Sequence, residues 1–223
     1  MPLTLAQQQL LDHAINHYSF PLEYYDFTTH SRQVAANAVH LEGVIQAQLA
    51  SGAQQDVADG LANIIYWGNA TAGYRDWRFA RFRSRIGAFA PYAGFSALLA
   101  GGTPTLGAIK KLGYPAYSGI SFVSKILMFL DPQNYCVLDL QISKLRQAGR
   151  PSARALDGLK LQQTSIPVTA ANERVYDGWR QECLRISRTY YAGRHRAADV
   201  ERGFFTLIQG GRLADAQGIY SDF

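Results

Sequence analysis

The chain has 223 residues, of which 48% are hydrophobic, 12% aromatic and 17% charged. That balance supplies a packed interior and excludes a long disordered polyelectrolyte. No apolar run is long enough for a membrane-spanning helix, and Met1-Pro2-Leu3-Thr4 lacks the basic start and apolar stretch of a signal peptide, so a cytoplasmic protein is expected. The net charge of +5 is uneven: residues 1–60 hold one base, Arg32, against six acids, whereas residues 61–223 hold 21 bases against 11 acids. This asymmetry points to a polyanionic partner for the later part of the chain.

Helical periodicity dominates. A short amphipathic helix is expected over Leu5–His17, followed by an aromatic connector from Ser19 to Thr28. Val34, Ala38, Leu41, Ile45 and Leu49 fit a long helix over Ser31–Ala50, and Asp56 suits the cap of a helix reaching Trp67. Over Tyr74–Phe89, Arg78, Arg81 and Arg85 fall on one helix face and Phe79, Phe82 and Ile86 on an adjacent one. One side of that helix can be buried while a row of guanidinium groups stays in water and meets successive phosphates. Thr103-Pro104 reads as the start of a helix that runs to Leu112 and stops at Gly113. After the connection Tyr114-Pro115-Ala116-Tyr117-Ser118-Gly119, a second helix runs to about Leu130.

Asp131-Pro132 ends that helix. Cys136-Val137-Leu138 is short and extended, and Asp139 is expected to open a helix through Ala148. Residues 149–169 read as irregular, with room for a short strand pair. Thr169 caps a helix over Ala170–Tyr191, and a final helix spans about Ala198–Gln209 before Gly210-Gly211. The expected fold is all-α, one helical domain with few or no strands; if the chain divides, lobes 1–148 and 170–223 would meet at 149–169. Cys136 and Cys183 show no CxxC spacing and read as buried thiols. His13 and His17 lie four apart on a helix without the glutamate of a metalloprotease motif, so no metal is expected.

The hairpin and the segment running from it to Asp139 carry the chemistry. Gly119-Ile120-Ser121 opens the second helix, where backbone N–H groups favour a phosphate. Leu127-Met128-Phe129-Leu130-Asp131-Pro132 and Val137-Leu138-Asp139 complete an ordered series. Over these 35 or so residues the chain resembles the helix-hairpin-helix DNA glycosylase superfamily, in particular its 8-oxoguanine glycosylase-like branch. The resemblance implies a monomeric base-excision enzyme acting on damaged double-stranded DNA, with backbone contacts from Gly119, Ser121 and Ser124 and from Arg78, Arg81 and Arg85. It also implies that Asp139 is the carboxylate that stabilises positive charge on the sugar as the N-glycosidic bond breaks. An Asp at a helix start serves equally well as a cap.

Bifunctional members add a lysine nucleophile that forms a Schiff base. Here the pattern departs. Lys125 is the only lysine between the hairpin and Asp139. The family position falls near Val123 when aligned on the hairpin and near Ile120 when aligned on Asp139. Lys125 is therefore the candidate amine. Two cysteines cannot supply the four ligands of the family's iron–sulfur variants, so no cofactor is expected. Tyr66, Trp67, Trp77, Tyr176 and Trp179 are candidate walls for an extruded base. The alternatives are a non-catalytic helix-hairpin-helix DNA-binding module and a helical protein-interaction domain.

Overall fold

A computed structural model of the chain describes residues 2–86, 92–102, 104–150 and 152–223. The described elements, in chain order, are α1 (Leu5–Asn16), β1 (Glu23–Asp26), β2 (Ser31–Val34), α2 (Ala38–Ala50), α3 (Gln54–Gly68), α4 (Arg75–Ile86) and α5 (Tyr92–Ala100). They continue with α6 (Leu106–Lys111), α7 (Ile120–Leu130), 3-10 turns at Ile142–Leu145 and Ala155–Gly158, α8 (Ala170–Tyr191), α9 (Ala197–Gln209) and α10 (Leu213–Asp222). The protein is therefore helical, with a two-stranded antiparallel hairpin as its one sheet among the described residues. None of the described helices is long and apolar enough to cross a membrane.

The residues group into two compact units, one made of 1–19 and 131–223, the other of 20–130. The divisions fall at 19/20 and 130/131, away from the 149–169 segment.

In the unit 20–130, the region expected as connector plus long helix is a hairpin followed by a shorter helix. Glu23 pairs with Val34 and Asp26 with Ser31. The turn forms because Asp26 Oδ1 accepts from the amides of Thr28 (2.8 Å) and Thr29 (3.3 Å), a local alternative to helix. These bonds hold the Asp26 carboxyl below its usual range. Asn37 then caps α2 through the His40 amide, 2.9 Å away. Val34 continues the helical period by coincidence and is exposed, whereas Leu41, Ile45 and Leu49 are buried. Asp56 lies in the first turn of α3, but the cap position is Ala53.

From α3, the buried Asn63 ties down the hairpin: its Oδ1 accepts from Tyr25 N (2.7 Å) and its Nδ2 donates to Tyr25 O and Gln48 Oε1 (both 3.1 Å). Tyr25, Phe27, Tyr66 and Phe79 form one aromatic cluster, with ring centroids 5.1 Å apart for Tyr25–Phe79 and Tyr66–Phe79. The cap of α6 is Thr105, whose hydroxyl accepts from Ala108 N at 3.1 Å, so the helix begins two residues beyond the expected Thr103-Pro104 start; Thr103 lies outside the described residues.

In the other unit, α1 packs on α9. A Cβ built at Gly203 would sit 2.6 Å from Ile15 Cγ1 and 2.9 Å from Leu11 Cδ1, so the contact depends on the missing side chain. Thr169 caps α8 through Asn172 N (3.2 Å) as expected. Segment 149–169 is irregular, with one antiparallel bridge between Gln162 and Ser165. Cys136 and Cys183 are buried free thiols, and burial pushes both pKa values up. The expected final helix, α9, is followed by α10, whose amphipathic pattern is too short to stand out. The core here is Trp179, Phe204 and Tyr220 in mutual ring contact.

Gly203→Ala should overpack the α1–α9 contact and lower unfolding free energy by about 1–3 kcal/mol, read from the urea midpoint at unchanged m-value.

Candidate nucleic-acid interface

The start of α4 is fixed by charge. Arg75 Nη1 donates to Glu23 Oε2 at 2.6 Å, Glu23 also pairs with Arg32, and the Arg75 guanidinium lies 4.3 Å from the Tyr66 ring centroid. Phe79, Phe82 and Ile86 are buried on the inner face, as their spacing requires. Arg78, Arg81 and Arg85 are all exposed on the outer face. The Phe89 end of the expected helix lies outside the described residues.

The outer face carries more than charge. Tyr74 and Trp77 are 51% and 59% exposed. Arg78 stacks over Tyr74 at 4.4 Å and Arg81 over Trp77 at 5.0 Å. Arg78 Nη1 also donates to Asn69 Oδ1 (3.0 Å), while Asn69 Nδ2 donates back to the α3 carbonyl of Ile65 (2.7 Å). One arginine is thus braced from beneath. Arg81 and Arg85 have no acidic partner among the described residues. Asp76 is paired with Arg75 and lies on another side of the helix at 100° per residue.

The α6–α7 hairpin turns through Gly113 (φ 73°) and Ala116 (φ 66°). Glycine adopts the first at no steric cost; alanine at the second is uncommon and is held by the buried side chains around it. Tyr117 donates its hydroxyl to Leu61 O at 2.6 Å, and Tyr114 packs between Tyr92 and Phe95. Ser118 and Ala116 are exposed at the tip, and Gly119 and Ser121 are half-buried at the start of α7.

Ser124 and Lys125 are placed differently from the sequence expectation. Ser124 is completely buried, so its hydroxyl is withdrawn from a phosphate. Lys125 is 6% exposed. Its stem fills the space left by Gly68, where a Cβ would meet Lys125 Cε at 3.2 Å. Its Nζ donates to Ser121 O at 2.9 Å and lies 5.1 Å from the Phe122 ring centroid.

Asp139 belongs to the other unit. Tyr176 and Trp179 of α8 hold the preceding segment by donating to Cys136 O (2.9 Å) and Val137 O (3.1 Å). Asp139 then opens a single 3-10 turn at Ile142–Leu145 rather than the expected helix through Ala148. Its Oδ1 accepts from Gln141 N (2.9 Å) and Ile142 N (3.0 Å), which satisfies the turn locally without continuing it. Its Oδ2 accepts no hydrogen bond among the described residues. The charge of Asp139 is felt by the buried Tyr18, which also feels Arg202 and Glu201; no sequence motif marks these residues. Burial pushes the Tyr18 hydroxyl well up; Arg202 pulls it down, and Glu201 and Asp139 add to the rise. Arg202 lies over the Tyr18 ring at 5.3 Å.

Trp67, Tyr176 and Trp179, expected as base-stacking candidates, are buried core residues, and Tyr66 is buried beneath Arg75. No group of three His, Cys, Asp or Glu side chains among the described residues could hold a metal ion. Comparisons with protein-family models, curated proteins and solved structures find no match for the chain.

Asp139→Ala should lower stability by about 1 kcal/mol through loss of the amide acceptor, while Asp139→Asn, which keeps an acceptor oxygen, should stay within about 0.5 kcal/mol of wild type. Thermal unfolding of the two variants checks this.

Proposed function

We propose that the protein binds DNA and cleaves the N-glycosidic bond of a damaged base, with Asp139 as the essential carboxylate. The observation that carries the binding is the outer face of α4: three exposed arginines in helical register, with no acidic partner among the described residues. A fixed cationic row of this kind suits a phosphate backbone, since release of condensed counterions supplies most of the affinity. The hairpin offers the amides at the start of α7 to a phosphate as well.

The chemistry rests on the resemblance and on the unengaged Oδ2 of Asp139. As the bond between the sugar C1′ and the base nitrogen breaks, its electron pair leaves with the base. The sugar becomes cationic, and a carboxylate close to C1′ stabilises it. Water then adds to C1′ and gives up a proton, which the same carboxylate can accept. Water is assigned as the nucleophile. Lys125 is 6% exposed and its amine is held by the Ser121 carbonyl, so it is not presented to a sugar.

One observation favours a second reading, a DNA-binding module without catalysis: Asp139 Oδ1 is already used by two amides, as in an ordinary turn cap.

Purified protein should release 8-oxoguanine from a lesion duplex under single-turnover conditions, and borohydride should trap no adduct. Asp139→Asn should lower the rate by roughly 10²- to 10³-fold with binding intact. Tight salt-dependent binding with no release of any lesion would select the non-catalytic reading. The Arg81→Ala/Arg85→Ala double variant should reduce the slope of log K against log salt by about 2. An unchanged slope would remove α4 from the interface.

A further inference from the structure

We infer that Trp77 and Tyr74 turn the α4 face into a site for an unpaired nucleic-acid strand, with Trp77 stacking on a base while Arg81 and Arg85 meet the flanking phosphates. This rests on the DNA-binding reading above and specifies which form of nucleic acid the face recognises.

Burial singles out one ring. Of the three tryptophans, Trp67 and Trp179 are 4% and 0% exposed, and Trp77 is 59% exposed. Trp77 projects from α4 one turn after Tyr74, and Tyr74, Arg78, Arg81 and Arg85 share its side of the helix by the 3.6-residue repeat. A large apolar ring left in water beside cations is costly unless something covers it. Arg81 covers part of it at 5.0 Å, leaving more than half of the surface open.

Electrostatics choose the occupant. The rings are flanked by guanidinium groups and by no acid on the same stripe, so the face attracts a polyanion and repels a basic or purely apolar surface. Paired bases keep their faces inside a stack, where an indole on a rigid helix cannot reach them. Unpaired bases present those faces freely, and aromatic stacking with phosphate-binding cations is how single strands are held without sequence preference. A cation already stacked on the indole leaves a guanidinium beside the base, near its phosphate. An ordinary duplex-binding helix would need the arginines alone. The exposed Trp77 and Tyr74 are what that simpler site does not explain.

The burial difference also supplies the readout, because Trp77 is the one tryptophan of the three that solvent and ligand reach directly. The probes are an oligothymidylate single strand and a fully matched duplex, each labelled for anisotropy, with tryptophan emission recorded in parallel. Saturating oligothymidylate should quench most of the emission that Trp77→Phe removes. Trp77→Ala should weaken single-strand binding about tenfold and leave duplex affinity within about twofold; Trp77→Phe, which keeps a stacking ring, should retain most of the single-strand affinity. The variants are safe for the fold because the ring is exposed. Single-strand binding without quenching, or an equal loss for both probes in Trp77→Ala, overturns the inference and leaves the duplex-binding reading standing. Wild-type protein that binds neither probe at moderate salt overturns both.

Discussion

The rotation of α4 depends on the ion pair between Arg75 and Glu23. Both side chains are largely withdrawn from water, and the guanidinium is roofed by Tyr66. Burying two charges gains little net stability, because desolvation offsets most of their attraction. What the pair supplies is direction. An Arg75 turned elsewhere would leave the buried Glu23 with Arg32 alone, so the rotation that brings Arg75 onto it is favoured. That rotation places Phe79, Phe82 and Ile86 inward and Arg78, Arg81 and Arg85 outward. The hydrophobic stripe and the buried charge therefore enforce the same answer, and the outer face is presented rigidly.

The inward and outward faces of α4 are legible in the sequence because they arise from spacing alone. The same holds for the apolar periods of α1, α7 and α8 and for the Thr169 cap of α8. The β-hairpin is not legible. Its aromatic residues read as a connector, and Val34 happens to extend the period of Leu41, Ile45 and Leu49 backwards into Ser31–Val34. What decides against helix is the Asp26 side chain closing a turn and Asn37 capping a new start, short-range bonds that outweigh one period match. Asp139 departs in the opposite sense. Its capping chemistry is local and visible in the sequence, but the turn it caps ends after Leu145, because the length of a helix depends on tertiary burial that no cap encodes.

The surroundings of the candidate site are the least legible part. Tyr18, on which the charges of Arg202, Glu201 and Asp139 all act, lies more than 100 residues before Asp139, and Glu201 and Arg202 lie more than 60 after it. No local pattern marks them. Trp77 is different: the helical repeat sets it opposite Phe79, Phe82 and Ile86 and beside Arg81, so its side of α4 is legible, whereas the extent to which its ring stays in water is fixed only by the tertiary structure.

Lys125 shows how packing can reassign a residue that motif reasoning marks as reactive. Its ammonium is nearly buried, which costs several kcal/mol if the charge is left uncompensated. The chain compensates locally: Gly68 clears space for the stem, Ser121 O accepts from Nζ, and the Phe122 face lies within cation–π reach. A Schiff-base lysine needs an amine that can reach the sugar carbon, and one this buried and held by Ser121 O is not presented for that role. The arrangement suits a lysine that braces the hairpin helix from inside, so the amine's position in the sequence and its chemical availability are separate matters. Asp139 contrasts with it: one carboxylate oxygen is taken up by the turn, and the other accepts no hydrogen bond among the described residues.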